Sequence, residues 1–135
     1  MRVPKRALEI TKAEGASRQV DEAIKALERG DFDIAVTLAG AAEGMFERPG
    51  PHLWTFMHEK AKATGLEGKV VSDSLNAART WLKHPTPDAG ESLTLERYHA
   101  VEMIIRAMSK LSKWSPRMKR FREWVKARVA ESSFP

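Results

Sequence analysis

The 135-residue chain has no cysteine, no long apolar run and none of the glycine-rich signatures of nucleotide-binding enzymes. Without cysteine, a disulfide-stapled scaffold, a thiol nucleophile and a zinc finger are excluded, and a reducing, cytoplasmic setting is expected. No apolar stretch approaches the ~18–20 residues that span a bilayer, so we expect no membrane association. Walker loops, nucleophile elbows and zincin motifs are also absent, and we therefore expect no cofactor and no bound metal.

The charge is concentrated at one end of the chain. Residues 1–112 carry 16 basic and 16 acidic groups, whereas residues 113–128 carry seven basic groups against Glu123 alone, and Glu131 brings the total to +5. This asymmetry indicates an anionic partner for the last segment, although a solvated helix face explains it equally simply.

Glycine and proline divide the chain into blocks with helical periodicity, and alternating strand-like runs are scarce. We predict an all-α fold, an antiparallel four-helix up-and-down bundle with one or two additional helices. Residues 1–16 are predicted to be an extension that is either a short helix or frayed. Residues 17–112 are expected to form the bundle, and residues 113–135 a basic C-terminal helix packed on it.

The first two blocks are predicted to form a helical hairpin. In the first, Ser17 is the expected N-cap and Gly30 the expected C-terminal glycine. In the second, Asp31 is the expected cap, and the predicted apolar stripe consists of Ile34, Leu38, Ala41, Ala42 and Met45. Small residues in this second block would let another helix approach closely.

Four further blocks follow. One occupies residues 51–65, and the next ends before Pro85, because proline lacks the amide donor and disfavours helix before it. The fifth block has the clearest periodicity, with an apolar stripe that consists of Val101, Ile104, Ile105, Met108 and Leu111. Ser115 and Pro116 form a cap and first-turn pair for the last helix.

The segment from Asn76 to His84 carries an Arg on a helix followed, after four residues, by a His at the helix end. Together with the preceding helix that ends at Glu43, it resembles the HEPN superfamily, whose mark is Arg, four to six residues, then His. The family is a small all-α bundle. Many members are metal-independent ribonucleases, often toxins or defence effectors, and active members usually build the site across a dimer.

The resemblance implies that Arg79 and His84 are a catalytic pair acting on RNA in a homodimer, with Asn76, Thr80 and Glu43 in support. An Arg presents a planar fork of donors to phosphate, and a His exchanges protons near neutral pH. At position 80, active members commonly carry Asn, Asp or His, where this chain has Thr.

The resemblance also admits a non-catalytic alternative, because many family members are not enzymes. The protein would then act through homodimerisation or through a partner such as an antitoxin or a nucleotidyltransferase. In that case Arg79 is expected to pair with an acid such as Glu43, and His84 to cap the C-terminus of its helix.

The basic segment supplies a further candidate site. Its cations would neutralise phosphates, and the interleaved Trp114 and Trp124 could stack on unpaired bases. The predicted nucleic-acid-binding residues are Lys113, Arg117, Lys119, Arg120, Arg122 and Lys126. The alternative is an amphipathic helix that packs on the bundle with its charges in water.

One further motif, Glu96-x-x-His99, is the step that di-iron bundles use twice. Since the chain has no second copy, we interpret these two residues as part of an exposed polar face.

Overall fold

A computed structural model describes residues 1–46, 68–85 and 92–130 of the chain. Within these ranges the secondary structure is entirely helical, as predicted. The helices are α1 (Lys12–Arg29), α2 (Phe32–Glu43), α3 (Gly68–Lys83), α4 (Arg97–Ser109) and α5 (Pro116–Ala130). The block predicted at residues 51–65 lies outside the described residues. No helix in the described ranges is long and apolar enough to cross a membrane.

The α1–α2 hairpin has the expected turn but a different beginning. The N-cap of α1 is Thr11, whose hydroxyl accepts a hydrogen bond from the Glu14 amide at 3.1 Å, so Ser17 lies inside the helix and its prediction as N-cap was wrong. Residues 1–11 are exposed and outside any helix. Gly30 ends α1 in the left-handed region with φ 83°, which favours glycine. The short connection that follows makes α2 antiparallel to α1.

The buried face of α2 differs from the predicted one. Ile34 and Ala41 are exposed, and the buried residues are Ala35, Val36, Ala39, Gly40, Ala42 and Glu43. The helix is apolar on most of its circumference, so its sequence periodicity alone did not define one face. The smaller side chains face inward because they let α1 and α4 pack closely on α2.

The centre of the bundle is formed by α1, α2, α4 and α5. The predicted stripe of α4 is confirmed at Val101, Ile104, Ile105 and Met108, which are all buried. Leu111 lies beyond the end of α4 and is half-buried, so the predicted stripe extended too far. Helix α5 packs on this core through the buried residues Met118, Phe121 and Val125. Ser115 caps α5 as predicted, accepting from the Met118 amide and donating to the Asp21 carboxylate of α1 at 2.6 Å.

Candidate functional site

The most highly connected polar group in the described structure is the Glu43 carboxylate at the end of α2. Arg79 of α3 donates to its Oε2 from Nη1 at 2.7 Å, and Arg106 of α4 donates to its Oε1 from Nη2 at 3.0 Å. Lys110 Nζ, just beyond α4, lies 3.4 Å from the same Oε1. We call Glu43, Arg79, Arg106 and Lys110 the Glu43 cluster. One buried acid thus ties three segments of the chain together.

The cluster carries two more positive charges than negative ones. The Glu43 side chain is 9% exposed, while those of Arg79, Arg106 and Lys110 are 21%, 14% and 18% exposed. Lys110 also donates to the backbone carbonyls of Glu43 and Phe46, at 3.1 and 2.9 Å. Cations are favourable at the negative C-terminal end of a helix, so the excess positive charge also stabilises the end of α2.

The Arg79 side chain lies against Gly40 of α2 and against Gly44, the residue that follows this helix. A Cβ added at Gly40 would come within 3.0 to 3.3 Å of the Arg79 Nε, Cδ and Cγ atoms, and one at Gly44 within 3.0 Å of its Nη2 atom. The small residues of α2 were predicted to let another helix approach closely. At Gly40 and Gly44 the group that approaches closely is the side chain of Arg79. These glycines and Glu43 together hold the guanidinium group in place.

The structure assembles some of the predicted site residues and leaves others apart. Asn76 joins the cluster, because its Oδ1 accepts from Arg106 Nη1 at 2.9 Å. Thr80 is exposed, and its carbonyl accepts from the His84 amide at 2.9 Å. His84 lies directly after α3 with an exposed side chain. The contact between Arg79 and Glu43 is the one that the non-catalytic alternative predicted.

Two members of the cluster, Arg106 and Lys110, were missed by sequence reasoning. Arg106 lies between Ile105 and Met108 of the apolar stripe and Lys110 comes four residues later, a spacing that places the two cations on one side of the chain. Cations at this spacing are ordinary on the solvated face of a helix, so the local pattern gave no sign of a buried acidic partner.

The cations of the last segment form a second candidate site around α5. Lys113, Lys119, Arg120 and Lys126 are exposed, as the nucleic-acid prediction requires. Arg117 and Arg122 are half-buried and pair with carboxylates, Arg117 with Glu28 at 3.5 Å and Arg122 with Glu123 at 3.1 Å. Cations in the first turn of a helix oppose its dipole, so helix stability does not explain their positions.

Tryptophan rings lie among these cations. Arg122 stacks over Trp114 with 5.4 Å between the guanidinium carbon and the ring centroid. Trp124 has Arg97 at 5.8 Å and Arg128 at 5.1 Å. The segment therefore combines aromatic rings with guanidinium groups in an arrangement that suits phosphates and flat rings.

The Glu96-x-x-His99 step has a structural explanation. His99 Nδ1 accepts from the Glu96 amide at 3.0 Å and so caps the start of α4. His99 is buried, so its predicted place on an exposed polar face was wrong. In the described residues, no three His, Asp or Glu side chains gather in a way that could hold a metal ion.

Glu102 of α4 has a carboxyl group whose pKa is shifted by its surroundings. Burial raises the pKa of its carboxyl to about 7, and the positive charge of Arg106 acts in the opposite direction. This carboxyl therefore keeps its proton to a higher pH than an exposed glutamate does.

No family model, no curated protein and no solved structure matches the chain.

Proposed function

We propose that this chain is an RNA-binding helical bundle whose binding surface is the cationic side of α5. The observation that carries the proposal is the set of exposed cations on and before α5, on a segment with a net charge of +6. Phosphate neutralisation and counterion release give such a surface its affinity for a polynucleotide. The Glu43 cluster supports this function indirectly, by fixing the bundle on which α5 packs.

Fluorescence anisotropy with a labelled 12-nucleotide RNA tests this proposal. We expect the logarithm of the association constant to fall linearly with the logarithm of salt concentration. The slope is about −0.7 per neutralised phosphate, or about −3 for four contacts. A constant affinity between low and physiological salt contradicts the proposal.

A charge-matched pair of variants locates the surface. The triple variant Lys119→Gln, Arg120→Gln and Lys126→Gln removes three exposed cations of α5, and we expect it to bind at least tenfold more weakly. The control removes three exposed cations of the N-terminal segment, through R2Q, K5Q and R6Q. Equal losses in both variants indicate only a general charge effect.

Metal-independent RNA cleavage is a second candidate function, as the HEPN resemblance implies. In its favour, the helix that carries Arg79 ends at Lys83, directly before the exposed His84, whereas the ion pair between Arg79 and Glu43 favours the non-catalytic alternative. Arg79 would hold the phosphate, and His84 would exchange the proton of the attacking 2′-hydroxyl. The HEPN resemblance also implies a toxin-type role, which we place in the cytoplasm.

Incubation of RNA with the protein in EDTA separates the two functions. Cleavage that is lost in both Arg79→Lys and His84→Asn, with unchanged circular dichroism, supports catalysis. Arg79→Lys retains a cation beside Glu43 but loses the planar fork, and His84 is exposed, so both variants are expected to fold. Binding without cleavage leaves the RNA-binding function alone.

Association through a homodimer, an antitoxin or a nucleotidyltransferase stays a prediction from the resemblance. Light scattering of the purified protein measures the homodimer directly. A monomer at micromolar concentration contradicts a site built across two copies.

A further inference from the structure

A pocket of about 400 Å³ lies where α1, the start of α4 and α5 meet. This volume is within the range of pockets that hold small ligands. One wall is apolar and includes Leu27, Phe121 and Trp124, and the remaining lining includes Glu28, Arg97, Arg117 and Arg120. The pocket adjoins the proposed RNA-binding surface, because Arg120 both lines the pocket and is one of the exposed cations of that surface.

The aromatic wall is flat and is already in contact with guanidinium groups. Phe121 and Trp124 are stacked, with ring centroids 6.1 Å apart and an interplanar angle of 24°. Arg97 stands over the Trp124 ring at 5.8 Å. A cation stacked on a ring is weakly held where water reaches it. A planar ligand can therefore replace the guanidinium on the Trp124 face while the arginine turns to an anion.

The charge of the lining selects an anionic occupant. Glu28 is the one acid among the described residues that line the pocket, against three arginines. Two of these arginines occupy positions that are unfavourable for their helices, because Arg97 opens α4 and Arg117 lies in the first turn of α5. Arg117, Arg120 and Trp124 follow one another at intervals of three and four residues, so they share one side of α5 over about 10 Å.

We propose that this pocket takes one unpaired nucleotide of a bound single strand, an inference that rests on the RNA-binding function proposed above. The base lies against the wall formed by Leu27, Phe121 and Trp124, and its phosphates lie on Arg97 and Arg120. A base-paired nucleotide cannot enter, because its ring is enclosed in the helical stack. The protein therefore prefers single strands to duplexes of the same length.

For each variant, binding curves with two probes separate the contribution of the base to affinity from that of the phosphates. The probes are a 12-nucleotide oligouridylate and inorganic polyphosphate, which carries phosphates but no bases. We expect Trp124→Leu to bind the oligouridylate about 5- to 150-fold more weakly, as for the loss of one stacked base, and to bind polyphosphate as the wild type does. Arg120→Gln is expected to weaken binding of the oligouridylate more than Lys119→Gln, which removes the neighbouring exposed cation outside the pocket.

Nuclear magnetic resonance of the wild-type protein gives a measurement that needs no stable variant at position 124. Oligouridylate should shift the indole N–H signal of Trp124, assigned through the backbone resonances of isotopically labelled wild-type protein, more than that of Trp114. A 12-base-pair RNA duplex should shift it less.

The outcomes distinguish the pocket from the wider surface. If oligouridylate binds through the α5 cations while Trp124→Leu binds it as tightly as the wild type and the Trp124 signal does not move, the pocket assignment is wrong and the RNA-binding function stands. If the wild type binds no RNA at low salt, both are overturned.

Discussion

Replacing Glu43 by glutamine tests whether the Glu43 cluster holds the bundle together. The substitution keeps the size of the side chain and removes the one negative charge that three cations share. Breaking a buried ion pair by removing one partner costs about 3–5 kcal/mol, because the remaining charge is left buried and unpaired. The three cations are 14–21% exposed and can turn partly towards water, which places the expected loss near the lower limit, ~3 kcal/mol.

Urea unfolding followed by far-ultraviolet circular dichroism measures this loss of stability. For a chain of 135 residues, a loss of ~3 kcal/mol corresponds to a decrease in melting temperature of about 10 °C. The matched control is Glu123→Gln, which removes a carboxylate that also has two cationic neighbours, Arg122 at 3.1 Å and Lys126 at 3.7 Å. The Glu123 side chain is 61% exposed, so the expected loss is below about 0.5 kcal/mol.

The comparison between the two glutamine variants decides whether the Glu43 cluster organises the fold. If the Glu43 and Glu123 variants lose the same stability within about 1 kcal/mol, the cluster does not organise the fold and the argument from burial fails. Lys110→Met must also lose less stability than Glu43→Gln does, because in the Lys110 variant the Glu43 carboxylate still contacts Arg79 and Arg106.

Three further predictions concern stability. Ser115→Ala removes the cap of α5 and the bond to Asp21, and urea unfolding should show a loss of about 1–2 kcal/mol, most of which Ser115→Thr restores. Burial raises the pKa of Glu102 to about 7, above ~4.3 in the unfolded chain, so the folded protein binds this proton more tightly. The free energy of unfolding should therefore fall by up to ~3 kcal/mol as the pH rises from about 4 to 8, and an equally steep fall in Glu102→Gln would refute the assignment. Gly30→Ala should cost about 1 kcal/mol from its positive φ alone, because a Cβ there meets no atom within 4 Å; no change in melting temperature would contradict this.

Features that depend on neighbours in the chain were readable from the sequence. The all-α fold, the glycine turn at Gly30, the cap at Ser115 and the stripe of α4 follow from periodicity and local hydrogen bonding, which need no knowledge of distant residues. The cationic character of α5 was equally plain, because it is a matter of composition. The face of α2 was not readable, since several of its faces are apolar and only packing against α1 and α4 selects one.

Features that depend on residues far apart in the chain were decided by the tertiary structure. Glu43 lies 36 and 63 residues from Arg79 and Arg106, and only the meeting of three segments makes their charges one cluster. The pocket beside Trp124 likewise needs α1, α4 and α5 together. The sequence by itself determined which helices form and where the positive charge lies. Tertiary packing decided which acid neutralises which cation and which ring lines a pocket, because those pairings depend on distances in space.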